Sequence, residues 1–293
     1  MELYNVPWPS LRSEWAGREP YWSRAWASVS HPGLGVAVTR WQNEGSLPDP
    51  LWVAHWRGAE PQRAASLIKV GLVALLFLQA QRGELALEEK ITCPWEGVVE
   101  GGPLALLGGG RSFSYRELAA LSLSWSDNTA ANLLLERLGL ERVQDFMRRS
   151  LGTTSLQWRR YFMHSPLVEG ENYLTPLDGV KLYLRLWQGD LLRGEYWQQF
   201  WSLLHSQQFR EKLPALLPAS LWSANKTGEL DDGARHDLAL FRGRRYTWIV
   251  AALSDQRRLA PGQIDQLWAS LAWNLAAAWG ELPEQAGAYW GAV

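Results

Sequence analysis

Ser66-Leu67-Ile68-Lys69 places a hydroxyl and an amine three residues apart at the head of an apolar stretch. On a helix both side chains project from one face. A serine is a poor nucleophile at neutral pH, so a base must take its proton, and a lysine with a depressed pKa can do that. A helix N-terminus also favours negative charge developing beside it. Taken alone the pattern is short, and Ser66 reads equally well as a helix N-cap. A second copy, Ser223-Ala224-Asn225-Lys226, lies in a strand-like segment. There positions three apart face opposite sides, so Ser223 and Lys226 are not expected to act together.

Two further signals raise the specificity. Ser126-Asp127-Asn128 opens a helical pattern, and Lys226-Thr227-Gly228 closes a strand pattern. Of 29 Lys and Arg residues only Lys69, Lys90, Lys181, Lys212 and Lys226 are lysine, and two of these five fall inside the motifs. The chain otherwise prefers arginine, whose pKa is too high to accept a proton.

The elements that must position these groups can be read from periodicity. Residues from about Ser10 to Ser30 mix charges and aromatics at loose helical spacing, and strands are expected at Gly35 to Thr39 and Leu51 to Trp56, paired as a hairpin. A buried helix runs from Ala65 to about Arg82, followed by a Gly-rich loop near 101–110 and a helix from Tyr115. More helices are expected over Thr129 to Leu138, Glu141 to Arg149 and Pro176 to Gln188. Strand signals return at Leu221 to Lys226, Leu238 to Phe241 and Thr247 to Leu253, and Gln263 to Trp279 closes as an amphipathic helix. Strands from both ends around a helical middle imply one antiparallel sheet with an inserted helical lobe, and a cleft between them for the site.

Composition restricts the partners. A net charge of −1 gives no field of one sign, so nucleic acid and anionic membrane surfaces are not expected, and a small-molecule or peptide-like substrate is. The five histidines lack ligand spacing, so neither metal nor cofactor is expected. The single cysteine, Cys93, reads as an inert buried thiol. Nineteen tryptophans are spread along the chain, which suits packing better than a stacking platform for sugars. No segment reads as membrane-spanning, and residues 1–30 carry charges throughout, so as written the chain shows no export signal and a cytoplasmic location is expected. Oligomeric state is not legible.

The trio Ser-x-x-Lys, Ser-Asp-Asn and Lys-Thr-Gly resembles that of class A β-lactamases and related penicillin-recognising serine hydrolases. The likeness runs from about Gly33 to Leu253. It includes Ala64-Ala65 before Ser66, Tyr115-Arg116-Glu117-Leu118, Ala130-Ala131-Asn132, Glu171 to Pro176 as the exit of an omega loop, and Arg235-His236-Asp237. The resemblance implies an α+β, β-lactamase/transpeptidase-like fold: an antiparallel five-stranded sheet flanked by helices plus an inserted all-α lobe. One two-lobed domain over 1–293 would then divide into an α/β lobe of about 1–61 plus 217–293 and an all-α lobe of about 62–216.

Roles follow from the same resemblance. Ser66 would attack a carbonyl with Lys69 assisting, and Ser126 would pass a proton to the leaving group with Lys226 beside it. Asn128 would hold a substrate amide and brace Lys69, and the Lys226-Thr227-Gly228 strand would line the cleft. Backbone N–H groups of Ser66 and Glu229 would form the oxyanion hole, and Arg235 would bind a substrate carboxylate. Family members are usually exported.

Two departures stand out. The omega-loop glutamate that activates the deacylating water in class A enzymes has no counterpart. Its expected place falls between about Trp158 and His164, and Glu169 and Glu171 lie too close to Thr175. Slow deacylation is expected, with His164 as a substitute base or simply a solvated loop residue. Glu229 stands where the family usually has a small or hydroxyl residue. There it would repel carboxylated substrates unless strand alternation turns it to solvent, which is the orientation expected. The leading expectation is a β-lactamase-like hydrolase. A D,D-peptidase or esterase and a non-turnover penicillin-binding sensor are the alternatives, and a relic without activity fits three intact motifs least well.

Overall fold

The computed structural model describes residues 11–15, 33–44, 47, 51–164 and 170–282, the first of these spans in backbone only. Its main sheet has the order β1-β3-β2-β10-β9-β8. The strands are β1 (Leu11–Trp15), β2 (Leu34–Gln42), β3 (Leu51–Trp56), β8 (Trp222–Glu229), β9 (Arg235–Arg242) and β10 (Tyr246–Ser254). β3, β2, β10, β9 and β8 form five antiparallel strands, the sheet expected from the sequence. β1 adds a sixth at the edge, parallel to β3 with Leu11 opposite Leu51.

β1 corrects the helical reading of residues 10–30 at its start; residues 16–30 lie outside the described residues. Leu11, Ser13 and Trp15 alternate with Arg12 and Glu14, a period of two as well as a loose helical one. In so short a segment the free edge of β3 decides between them, because it supplies the backbone partners.

Helices lie on both faces of this sheet. On one side α8 (Pro261–Ala278) packs Ile264, Leu267, Trp268 and Leu271 against Val36, Val38, Ala239, Phe241 and Val250. On the other, Leu238, Leu240, Ile249, Ala251 and Leu253 join a larger core with the helical part of the chain. At its centre is α1 (Lys69–Gln81), whose residues from Lys69 through Ala80 are all buried. It is apolar on every face, as a helix surrounded by others must be. Around it stand α2 (Pro103–Leu107), α3 (Tyr115–Ser124), α4 (Asn128–Leu138), α5 (Leu140–Arg149), α6 (Pro176–Trp187) and α7 (Gly194–His205). Short ladders join β4 (Gln62–Arg63) to β7 (Tyr173–Leu174) and β5 (Lys90–Thr92) to β6 (Ser112–Ser114).

Local chemistry fixes where the helices begin. Ser114 and Glu117 form a reciprocal capping box at α3, Asp127 caps α4 through the Ala130 N–H, and Thr175 with Pro176 starts α6. Among the described residues the tryptophans act mainly as packing: Trp158, Trp201, Trp248 and Trp268 are fully buried, whereas Trp95 and Trp125 are exposed. Cys93 is buried, and burial raises its thiol pKa, consistent with an inert side chain. His236 is buried and held down to about 4 by desolvation. Its Nδ1 accepts from the Ser254 N–H, so Nε2 carries the proton donated to the Arg63 carbonyl, and the ring clamps β9, β10 and β4 together. Among the described residues no helix is long and apolar enough to cross a membrane.

Candidate active site

Ser66 sits in a 3-10 turn, Ala65–Ile68, that leads directly into α1. It is half-buried, while Lys69, the first residue of α1, is wholly buried. Three of the four non-glycine residues with positive φ among those described cluster here: Ala65 (φ 45°) before Ser66, Ser126 (φ 56°), and Met163 (φ 64°) after Phe162. Such conformations cost about 1–3 kcal/mol each and persist where the surroundings over-determine them.

Lys69 Nζ donates to the Ser126 carbonyl at 2.6 Å and to Asn128 Oδ1 at 2.7 Å. Asn128 is itself held by its side-chain N–H₂ on the Glu100 carbonyl and its backbone N–H on the Gly101 carbonyl. Lys226 Nζ donates to Ser126 Oγ at 2.9 Å and to the Thr227 carbonyl at 2.8 Å. Two amines therefore meet on one serine, one at its backbone and one at its hydroxyl. Asp127, between Ser126 and Asn128, accepts from Leu104 N–H at 2.7 Å and Ala130 N–H at 2.8 Å, which fixes the turn that presents both neighbours.

Burial holds Lys69 well below the usual lysine range, and the charge of Lys226 pushes the same way, opposed by Asp127. Burial also takes Lys226 down to about 7, against Asp237. A neutral Lys69 has two N–H bonds, which the Ser126 and Asn128 oxygens consume, leaving its lone pair to accept a proton. The Phe162 ring lies 4.4 Å from Nζ and favours the ammonium form, but a ring contact is worth about 0.5–2 kcal/mol, less than the desolvation of a fully buried charge. Removing the Lys226 charge by Lys226→Met must raise the Lys69 pKa. The ascending limb of the acylation rate, which follows loss of the Lys69 proton, is thus expected to move to higher pH. A pH profile of acylation in the two proteins checks this; an unmoved limb contradicts it.

The second Ser-x-x-Lys copy behaves as strand geometry requires: Ser223 Oγ accepts from Arg210, while Lys226 turns to Ser126. Gly228 lies against the Ser66 turn, where a β-carbon would stand 3.2 Å from Ser66 N. Gly228→Ala is expected to displace the Ser66 N–H and lower the acylation rate about tenfold with little change in Tm, read by stopped-flow acylation beside thermal melting.

Glu229 ends β8 opposite Arg235 of β9. Its side chain stays exposed, the orientation expected from strand alternation, but its oxygens are engaged. One oxygen accepts from Lys212 Nζ and the other from Arg235 Nη1 at 3.3 Å. Arg235 is also gripped by Asp265 of α8 at 2.8 and 2.6 Å. Thr227 pairs with Asp237 in the ladder, one residue from the turn of Gly228 toward Ser66. A cleft of about 790 Å³ adjoins the site at Glu229, between the β8–β9 turn and the start of α8. Ser66 does not line it.

The loop that should carry a deacylating glutamate brings Phe162 to Lys69. Asn132 accepts from the Phe162 N–H at 2.9 Å and donates to its carbonyl at 3.0 Å. Glu171 is engaged by Arg160 at 3.0 and 3.1 Å, and Asn172 Oδ1 accepts from the Arg159 and Arg160 N–H groups. Glu169 lies outside the described residues. His164 is exposed, its ring 5.4 Å from that of Tyr161. Among the described residues no group of three or more His, Cys, Asp or Glu side chains is disposed to hold a metal ion. Sequence reasoning missed Lys212 and Asp237; scarcity of lysine was the available signal for the first, since Lys69, Lys212 and Lys226 are all fully buried.

This architecture is the α+β fold of class A β-lactamases and penicillin-binding proteins. It matches the β-lactamase of Sphaerobacter thermophilus with a TM-score of 0.78 and 25% identity over 89% of this chain and 98% of that one. An ancestral class A β-lactamase matches at TM-score 0.75 and 26% identity, covering 87% and 96%. The structure of PBP-A, at 20% identity, shares the fold with a TM-score of 0.79. Residues 47–279 match the family described as the Beta-lactamase enzyme family, and the chain belongs to it. Among curated relatives, a β-lactamase of Citrobacter koseri is 27% identical over 81% of this chain and 80% of its own length, and one of Proteus vulgaris 26% identical over 74% and 71%.

Proposed function

We propose that this protein is a β-lactamase-like serine hydrolase that forms an acyl-enzyme on Ser66 and releases it slowly. The supporting observation is the meeting of two buried, readily deprotonated lysines on Ser126, one of them, Lys69, three residues after Ser66. Lys69 takes the Ser66 proton as Oγ bonds the carbonyl carbon, and the N–H groups of Ser66 and Glu229 receive the oxyanion. Ser126, bonded to Lys226, returns a proton to the leaving group as the tetrahedral adduct collapses. One oxyanion donor is worth about 100- to 1,000-fold in rate. The site lies between the sheet lobe and the helical lobe of a single domain.

Hydrolysis of the ester then needs a base for water, and the residue that the omega loop places beside Lys69 is Phe162. The ring supplies no proton acceptor, so the ester outlasts its formation. This favours an esterase- or peptidase-like use of the site, or acylation held as a signal, over fast destruction of antibiotics.

The test is intact-mass analysis beside turnover of a chromogenic cephalosporin, with Ser66→Ala as control. A one-to-one adduct on Ser66 that decays over many minutes, with little continuous colour, is the expected result. Rapid steady hydrolysis without an adduct would contradict slow release, and an adduct that survives in Ser66→Ala would contradict the nucleophile.

A further inference from the structure

Beside Ser66, on the face of β8 opposite to Lys226, the charges are arranged in an unusual way. Glu229 follows Gly228, and Gly228 abuts Ser66 N. The Glu229 carboxylate remains partly exposed, at 43%, and opens into the adjoining cleft. Two cations flank it, Lys212 and Arg235, and neither is free. Lys212, with no exposed side-chain surface, is shared between Glu211 and Glu229. Arg235 is bound through three nitrogens, two on Asp265 and one on Glu229. Asp237 lies in the same cluster, taking N–H groups from Asn225 and Leu213 and acting on Lys212 through its charge. Even with Asp237 protonated, three carboxylates face two cations. Lys226 does not redress this, because its amine is committed to Ser126 and the Thr227 carbonyl.

An arriving carboxylate would thus find its cations already claimed and a negative group exposed. An arriving cation would find a carboxylate with lone pairs to spare. Ser126 and Lys226 mark the side on which the leaving group departs; β8 is the edge strand of the sheet there, and although Glu229 projects from its other face, its charge reaches Lys226 around that edge. We propose that Glu229 sets specificity on the leaving-group side, selecting acyl donors whose leaving group is cationic and rejecting those that carry a carboxylate. This rests on the acyl-enzyme reading of Ser66 and adds the chemical class of its substrate.

Three benzoylglycyl thioesters test it, with thiocholine, 2-hydroxyethanethiol and mercaptoacetate as leaving groups. In each case the Ser66 oxygen bonds the acyl carbon, the C–S bond breaks, and the serine proton leaves with the thiol. Acylation is followed by thiol release and intact mass, and each rate is divided by that of the same ester with hydroxide. The wild-type protein is expected to prefer the thiocholine ester over the mercaptoacetate ester by about tenfold at low salt, the neutral ester falling between. The preference should shrink in 0.5 M salt (a roughly 4 Å screening length) and drop to about threefold or less in Glu229→Gln. The salt series on the wild-type protein decides the matter even if Glu229→Gln folds poorly. Ser66-dependent acylation at equal normalised rates for all three esters, or an unchanged preference in folded Glu229→Gln, would overturn the specificity and leave the acyl-enzyme reading standing. No Ser66-dependent acylation by any ester would overturn both.

Discussion

Phe162→Glu shortens the lifetime of the acyl-enzyme by about 100-fold or more, because a positioned general base contributes about 100- to 10,000-fold to a proton-transfer step. Phe162 is the right place for three reasons on the molecule. Its backbone is clamped at both polar groups by Asn132, so the loop position survives a change of side chain. Its ring already touches Lys69, 4.4 Å from Nζ. A carboxylate there would also raise the Lys69 pKa, which moves the acylation limb to higher pH as the cost of faster release. Phe162 is buried and meets Trp158 edge-to-face at 6.0 Å, so the substitution costs about 3 kcal/mol of stability. Phe162→Gln loses the same packing without gaining a base. The expected outcome, followed by intact mass, is rapid loss of adduct in Phe162→Glu and slow loss in Phe162→Gln; equal lifetimes would show that something other than a missing base limits release.

Lys69→Met lowers the acylation rate about 100- to 10,000-fold and leaves the protein folded. Methionine fills most of the buried volume of the lysine stem and removes the proton acceptor. The Ser126 carbonyl and Asn128 Oδ1 lose their donor, which costs about 1–3 kcal/mol for a buried acceptor. Against this, a desolvated amine has gone. A modest change in Tm with a large loss of acylation separates a catalytic from a structural role. A fall of less than about tenfold would indicate that Ser66 finds its base elsewhere.

How much of this was legible in the residues depends on the range over which each feature is decided. The trio around Ser66, Ser126 and Lys226 was visible because short patterns fix which side chains share a helix face or alternate on a strand. The five antiparallel strands followed from alternation, and α1 from an unbroken apolar run. β1 was not legible, since a five-residue edge segment takes its conformation from β3. The absence of a glutamate near 158–164 could be read directly, yet the contact between Phe162 and Lys69 could not, because it depends on Asn132 thirty residues earlier gripping the loop. Glu229 is exposed as alternation implies, but its capture by a buried lysine was not legible, for a similar reason. Lys212, which captures it, lies 17 residues away on another segment, and no local period reports such a pairing.

The claim on which the chemistry depends is that two buried lysines give up protons in a range where ordinary lysines do not. Nuclear magnetic resonance of protein labelled at lysine Nζ and Cε, in a chain with only five lysines, measures this directly. Titration from pH 5 to 11, with Lys69→Met and Lys226→Met for assignment, is expected to show Lys226 changing charge near pH 7 and Lys69 far below the usual range, with Lys69 moved upward by loss of Lys226. Two lysines at Ser126 that both stay protonated beyond pH 10 would contradict the account.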